Sequence, residues 1–266
     1  MTVHLETAGF VATITLDRPQ ALNALDIESL RALRTHLQRY QDDPQLRALV
    51  LTGAGERAFC AGADLKGTRT TPSYPEAIFR SKPSASEMGL YIRLMDFGDL
   101  NLWKPVIAAV NGFCLGGGLE LALQCDVRIA CHEGSFGLPE VAVGSIPAVS
   151  GVHRLAKAIP RSPALQMALT GERIAADQAL RWGLVSEVVA RDRLLPRAME
   201  IAQRIACNAP LAVQAVKKLS RQTDHLSEAD AQELTELHWG LLRDTHDRQE
   251  GRAAFAEKRS PTFIGR

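Results

Sequence analysis

Three short apolar runs, Leu46 to Thr52, Val106 to Val110 and Val127 to Ala130, constrain this chain more than anything else in it. Each has the length of a strand rather than a helix, and Arg47, Thr52 and Arg128 are the only polar residues among the three, the pattern of strands buried in a core. The first is closed by Gly53-Ala54-Gly55 and the second by Asn111-Gly112, both turn sequences. Upstream, Val3 to Thr7 and Phe10 to Leu16 flank Ala8-Gly9 as an N-terminal hairpin. A helix follows: Asp26 is a good N-cap, and Ile27, Leu30, Leu33, Leu37 and Tyr40 recur at helical spacing until Asp43-Pro44.

Beyond Lys66 a polar stretch with prolines and threonines reads as a mobile loop through Lys82, entering a helix marked by Met88, Tyr91, Ile92 and Met95. After Gly116-Gly117-Gly118 a short helix is expected over Leu119 to Cys125. From Ser162 onward helical patterns dominate (Pro163 to Leu169, Asp177 to Trp182, Leu194 to Cys207, Pro210 to Ser220, Glu228 to Leu242 and Gly251 to Lys258), with Leu184 to Val189 the one remaining strand. The expectation is an α/β core over residues 1–190 and a helical C-terminal part over 191–266. With 266 residues, 46% of them apolar and 23% charged, the chain has enough material for one large domain.

Charge and cysteine usage narrow the function. Thirty-one Lys+Arg against 30 Asp+Glu leave +1, so no single-sign field is available to hold a nucleic acid or an anionic membrane. No apolar run approaches the roughly 20 residues of a membrane-spanning helix. The N-terminus has no basic segment followed by an apolar one, so a cytoplasmic protein is expected. Five cysteines (Cys60, Cys114, Cys125, Cys131, Cys207) form neither C-x-x-C pairs nor clusters with histidine, and are expected as reduced thiols without a metal.

Two familiar motifs fail on context. Gly53-Ala54-Gly55-Glu56-Arg57-Ala58 fits G-x-G-x-x-A after a strand, yet Phe59-Cys60-Ala61-Gly62-Ala63 follows in place of the long helix a dinucleotide turn must open. Ala148-Val149-Ser150-Gly151 lacks the first glycine of a serine nucleophile elbow.

Two small-residue turns are more informative. Gly116-Gly117-Gly118 at the mouth of a helix and Ala61-Gly62-Ala63-Asp64 after a strand can each expose a backbone N–H, the pair an oxyanion hole requires. The bland reading is two tight turns needing glycine only for backbone angles. Glu120 follows the first turn and Glu140 follows Pro139, both explicable as acids at helix starts. Brought to one cleft, they would suit proton transfer and water activation beside a carbonyl.

Read together, Pro105-Val106-Ile107-Ala108-Ala109-Val110-Asn111-Gly112, Gly116-Gly117-Gly118-Leu119-Glu120-Leu121-Ala122, Phe136-Gly137-Leu138-Pro139-Glu140 and Phe59-Cys60-Ala61-Gly62-Ala63-Asp64-Leu65-Lys66 resemble the crotonase family of enoyl-CoA hydratases and isomerases. The similarity runs from Arg18-Pro19 to Lys258-Arg259. It implies a crotonase-type spiral of ββα units with a C-terminal helical trimerisation region, assembled as a homotrimer or a hexamer made of two trimers. The substrate would be an acyl-CoA thioester, with no metal, no redox cofactor, and coenzyme A present only as part of the substrate.

Carried over by position, the N–H groups of Ala63 and Gly117 would hold the thioester oxygen and Glu120 and Glu140 would be catalytic. Ala24, Leu25, Ala61, Asp64, Leu65 and Lys66 would line the CoA path, and Phe255 and Lys258 would approach the CoA of a neighbouring subunit. Both acids are present, which favours hydration, or the reverse dehydration. Asp42-Asp43-Pro44-Gln45-Leu46-Arg47, Ala179-Leu180-Arg181-Trp182-Gly183 and Phe255-Ala256-Glu257-Lys258-Arg259 look like the carnitinyl-CoA dehydratase subgroup, which stays open, as do isomerase activity and, more remotely, an RNA-binding or scaffold role. Leu138 stands where a glutamine is often found, Ala148-Val149-Ser150 replaces a glycine-rich stretch near the attacking water, and residues 67–99 form a longer segment than in short-chain members, so the resemblance leaves the acyl group open.

Overall fold

The hairpin expected at the N-terminus forms from β1 (Val3–Ala8) and β2 (Val11–Leu16), paired antiparallel from Val3 opposite Leu16 to Ala8 opposite Val11. The computed structural model describes residues 2–64 and 75–266. α1 (Ile27–Asp42) follows, and Asp26 caps it as expected, its Oδ1 accepting the Ser29 N–H at 2.8 Å. Such a cap is worth about 1 kcal/mol.

The chain then repeats one manoeuvre three times. A first strand joins one sheet, a tight corner follows, and a second, three-residue strand joins another sheet: β3 (Ala48–Gly53) with β4 (Ala58–Cys60), β5 (Val106–Val110) with β6 (Phe113–Leu115), β7 (Val127–Cys131) with β8 (Ser135–Gly137). β2, β3, β5 and β7 run parallel side by side, as do β4, β6 and β8, so each repeat advances the chain by one strand in both sheets. That is the spiral. The three-residue strands carry too few residues for a period to show, so the second sheet is a feature that the strand pattern of the sequence does not reveal. Asn111 binds adjacent corners together, donating to the Gly53 and Gly55 carbonyls at 2.8 and 2.7 Å.

β3 is buried on both faces. Leu49 and Leu51 pack with Leu30, Leu33, Leu37 and Tyr40 of α1. Ala48 and Val50 turn the other way, onto Ile107, Ile129 and the Leu194, Ala198 and Ala202 ridge of α7 (Arg191–Ala206). Full burial of each large aliphatic side chain contributes about 1.5–3 kcal/mol relative to exposure.

Between the second and third units lies α3 (Gly117–Ala122), shorter than expected, and after the third come α4 (Gly151–Ala158), α5 (Arg161–Thr170), β9 (Ile174–Ala175) and α6 (Ala176–Arg181). β10 is only Glu187–Val189, because Leu184 and Val185 still donate back to the Ala179 carbonyl at the end of α6. α7, α8 (Pro210–Gln222), α9 (Glu228–Arg243) and α10 (His246–Glu257) complete the chain.

The helix expected around Met88 to Met95 is two pieces instead: α2 (Lys82–Glu87) and a tight 3-10 turn, Tyr91–Met95. Gly89, at φ +90°, breaks the helical path between them. Among the described residues no helix is long and apolar enough to cross a membrane, and all five cysteines are free.

Candidate active site

Two backbone donors meet where the spiral brings β4 beside α3. Leu25 forms a parallel bridge with Ala63: its N–H donates to the Gly62 carbonyl at 2.8 Å, and its carbonyl accepts the Asp64 N–H at 3.0 Å. That pattern uses the peptide groups on either side of Ala63 and points the Ala63 N–H the other way. Gly117, first residue of α3, has an N–H without an intrahelical acceptor. Among the described residues no protein group accepts from either one. The two nitrogens are neighbours, since a β-carbon built on Gly117 would stand 3.5 Å from Ala63 N, and one built on Gly62 3.0 Å from Gly117 N. The next residue, Gly118, lies so close to β4 that a β-carbon there would fall 2.0 Å from the Cys60 carbonyl oxygen. This contact presses α3 onto the strand and sets the spacing of the two donors.

Glu120, one turn into α3, is 1% exposed. Its Oε1 accepts the Val149 N–H at 2.7 Å and the Gly151 N–H at 2.9 Å. Burial pushes its carboxyl up to about 7; the two N–H bonds and the Arg154 charge oppose the rise, and the Glu140 charge adds to it. Glu140 sits in the 3-10 turn Pro139–Val143. Its Oε1 would lie 3.0 Å from a β-carbon on Gly116, which places it beside the same glycine turn. Burial raises its carboxyl as well, and its Oε2 is buried without a hydrogen-bond partner. The structure thus brings Glu120 and Glu140 to one cleft with the Ala63 and Gly117 donors.

A model of the enoyl-CoA hydratase/isomerase family matches residues 6–266. The chain belongs to that family. It is 43% identical over 267 residues to (E)-benzylidenesuccinyl-CoA hydratase of Thauera aromatica, with all of both chains covered. It is also 43% identical over 270 residues to carnitinyl-CoA dehydratase of Proteus mirabilis, covering 99% of this chain and 98% of that one. Among solved structures, enoyl-CoA hydratase from Bacillus anthracis superimposes with a TM-score of 0.89 at 35% identity over the full length of both chains. The crotonase fold is therefore the fold of this chain, and its activity is that of a family lyase acting on a CoA thioester.

The remaining positions of interest in this hydratase/isomerase chain divide into three groups. Ala24, Leu25, Ala61 and Asp64 line one edge of the Ala63 turn and are braced by Arg18, which donates to the Ala24 carbonyl at 2.7 Å and to Asp64 Oδ2 at 2.8 Å. Buried Asn23 supports the same loop, donating to the Ala54 and Ala58 carbonyls at 3.0 and 2.7 Å. Leu65 and Lys66, with the polar stretch through Tyr74, lie outside the described residues. Phe255 is 88% exposed on α10, and Lys258 caps that helix in the left-handed region. Among the described residues, no hydrogen bond or ion pair joins either of them to the cleft.

Several residues that shape the cleft carry no motif. Val149 and Gly151 hold Glu120 through main-chain N–H groups, which leave no trace in residue type. Met95 reaches the Gly116–Gly118 turn from the segment after α2: its terminal methyl lies 2.5 Å from where a Gly117 β-carbon would stand. Gln124 secures that segment, accepting the Phe97 N–H at 2.9 Å and donating to the Met95 and Glu120 carbonyls at 2.9 and 3.2 Å. α4 could have been found from Val152, Leu155 and Ile159, which recur at helical spacing.

Proposed function

We propose that the protein is a 2-enoyl-CoA hydratase, or a 3-hydroxyacyl-CoA dehydratase running the same step in reverse. The observation that carries this reading is the pair of carboxylates, buried Glu120 and half-buried Glu140, flanking a turn whose Gly117 N–H stands next to the Ala63 N–H. The thioester oxygen sits between those two donors. Water attacks the β-carbon as Glu120 takes one of its protons; the double-bond electrons move into the thioester carbonyl as an enolate, and Glu140 delivers a proton to the α-carbon. Water adds across the double bond from one face, and each oxyanion donor supplies about 3 kcal/mol. Glu120 is assigned as the base on geometry, because the Val149 and Gly151 N–H groups fix one of its oxygens in place. Glu140 is assigned as the acid because it stands beside Gly116 of the same glycine turn, with one oxygen free of any hydrogen-bond partner. An isomerase needs one acid to shuttle one proton, so the second carboxylate favours hydration.

The Ala24, Leu25, Ala61, Asp64, Leu65 and Lys66 edge carries the CoA chain. The helical part over 191–266 serves assembly into a trimer or a hexamer, with Phe255 and Lys258 placed on a neighbour's CoA. Support comes from α9, where Leu237, Trp239 and Leu241 are 60%, 57% and 76% exposed, a larger apolar surface than a monomer ordinarily leaves in water. For the acyl group, the names of the relatives favour a functionalised chain over a plain one, and the Met95 wall beside the thioester is an adaptable surface to receive it.

The test is the loss of the conjugated-thioester absorbance on incubation with a panel of 2-enoyl-CoA esters, with Glu120→Gln and Glu140→Gln as controls. Hydration by the wild type and not by either variant is expected. Shifting of 3-enoyl to 2-enoyl esters without hydration of any member of the panel would overturn the reading.

A further inference from the structure

Arg154, on α4, turns its side chain back toward the residues that hold Glu120. Its Nη1 donates to the Val149 carbonyl at 2.8 Å, while the N–H of the same residue donates to Glu120 Oε1 at 2.7 Å. Its Nη2 lies 3.4 Å from Asp96 Oδ1. Asp96 directly follows Met95, whose methyl packs at the oxyanion turn. Lys82 holds Asp96 in place through its carboxylate at 2.7 Å and its carbonyl at 2.9 Å, and reaches Asp99, which Arg34 contacts at 2.6 Å. An ion pair with side chains 27% and 37% exposed adds little to fold stability. What it adds here is a connection: one guanidinium spans the loop that orients an acid and the segment that walls the acyl site.

We propose that Arg154 is a positioning residue for the reaction, fixing the Val149–Gly151 loop behind Glu120 and tying that loop, through Asp96, to the Met95 wall. The proposal rests on the reading of Glu120 as the base. Two charged groups bear on Glu120, Glu140 from the Pro139–Val143 turn and Arg154 from α4, and they act in opposite directions. Removing Arg154 therefore does two things: it frees the donor loop, and it leaves the Glu140 repulsion unopposed. An acyl group that displaces the Met95 wall works on the same connection from its other end.

The experiment measures kcat, KM and the pH dependence of kcat/KM for Arg154→Gln, Arg154→Lys, Asp96→Asn and the Arg154→Gln/Asp96→Asn double variant, each checked for native melting. Arg154→Gln should lower kcat about tenfold with KM changed less than about twofold, and should move the Glu120 limb to higher pH. Arg154→Lys should return the limb toward its wild-type position, since the charge is restored, while recovering kcat only in part, because an ammonium cannot span both contacts. Asp96→Asn should change the ranking of acyl chains, and the double variant should lose less than the sum of the single losses. Folded Arg154→Gln with wild-type kcat and limb, or strict additivity in the double variant, would overturn the proposal. If Arg154→Gln does not fold, Asp96→Asn decides: a changed acyl ranking supports the proposal, and a folded Asp96→Asn enzyme with wild-type kcat and an unchanged ranking overturns it. Activity retained in Glu120→Gln would instead defeat the underlying reading of the base.

Discussion

A β-carbon placed on Gly151 would stand 2.8 Å from both Cγ and Oε1 of Glu120. Gly151 also donates its N–H to that Oε1, so the residue that holds the carboxylate has no room for a side chain of its own. Gly151→Ala should push the carboxylate out of position, lowering kcat at least tenfold and costing about 1–3 kcal/mol of stability as for other overpacked sites. Steady-state kinetics alongside a denaturant titration check both halves. An active enzyme with unchanged kcat would mean that Glu120 is free to move without consequence.

Glu120→Gln and Glu140→Gln should each lower kcat by about 100-fold or more, the range for losing a general acid or base. The two should differ from wild type in opposite senses for turnover and stability. With the folded carboxyl of Glu120 at about 7, the native state keeps its proton through a pH window where the unfolded chain has released it. Stability therefore falls as pH rises through that window, and the full penalty is present above it. Glu120→Gln removes the penalty, so at about pH 8 the variant should be more stable than wild type by roughly 2–3 kcal/mol, with the advantage vanishing below about pH 4.5. Melting curves at the two pH values decide the point.

Gly117 occupies the first helical position of α3, where proline is well tolerated because the N–H has no intrahelical partner. Gly117→Pro therefore removes an oxyanion donor with limited damage to the helix, the contact to be accommodated being the flexible end of Met95. The expected loss is about 3 kcal/mol of transition-state stabilisation, or more than 100-fold in kcat, with a folded circular dichroism spectrum. Retained turnover in a folded variant would place the thioester oxygen elsewhere.

The exposed apolar side chains of α9 make a prediction about assembly. Light scattering should return the mass of three chains or six, and Leu241→Glu, at a position 76% exposed in the single chain, should shift it downward. A monomer at micromolar concentration in the wild type would remove the assembly role of the helical part and, with it, the shared CoA site.

Much of the site is visible in the sequence because its parts are of chemically distinct types. Glycine and alanine at 61–63 and 116–118 announce exposed main chain, and Glu120 and Glu140 announce titratable groups beside it. The donors that hold Glu120 are invisible by the same logic: Val149 acts through its amide, which every residue but proline has, and its side chain says nothing of that role. Arg154 and Asp96 read as ordinary charges, since nothing in their spacing of 58 positions announces a pair.

The strands that carry their own pattern, the capped α1, the helical C-terminal third and the residue types of the cleft are legible along the chain, because hydrophobic period, capping and turn chemistry are local. The second sheet emerges only on folding, since strands of three residues have no period to read and are defined by the neighbours they pair with. The same holds for the break at Gly89, the approach of Met95 to Gly117, and the environment of Glu120. The Glu120 carboxyl becomes unusual because burial strips water from it and the Glu140 charge adds to the effect, and its neighbours come from segments distant in the chain: Val149, Gly151, Arg154 and Glu140 all follow it by twenty residues or more.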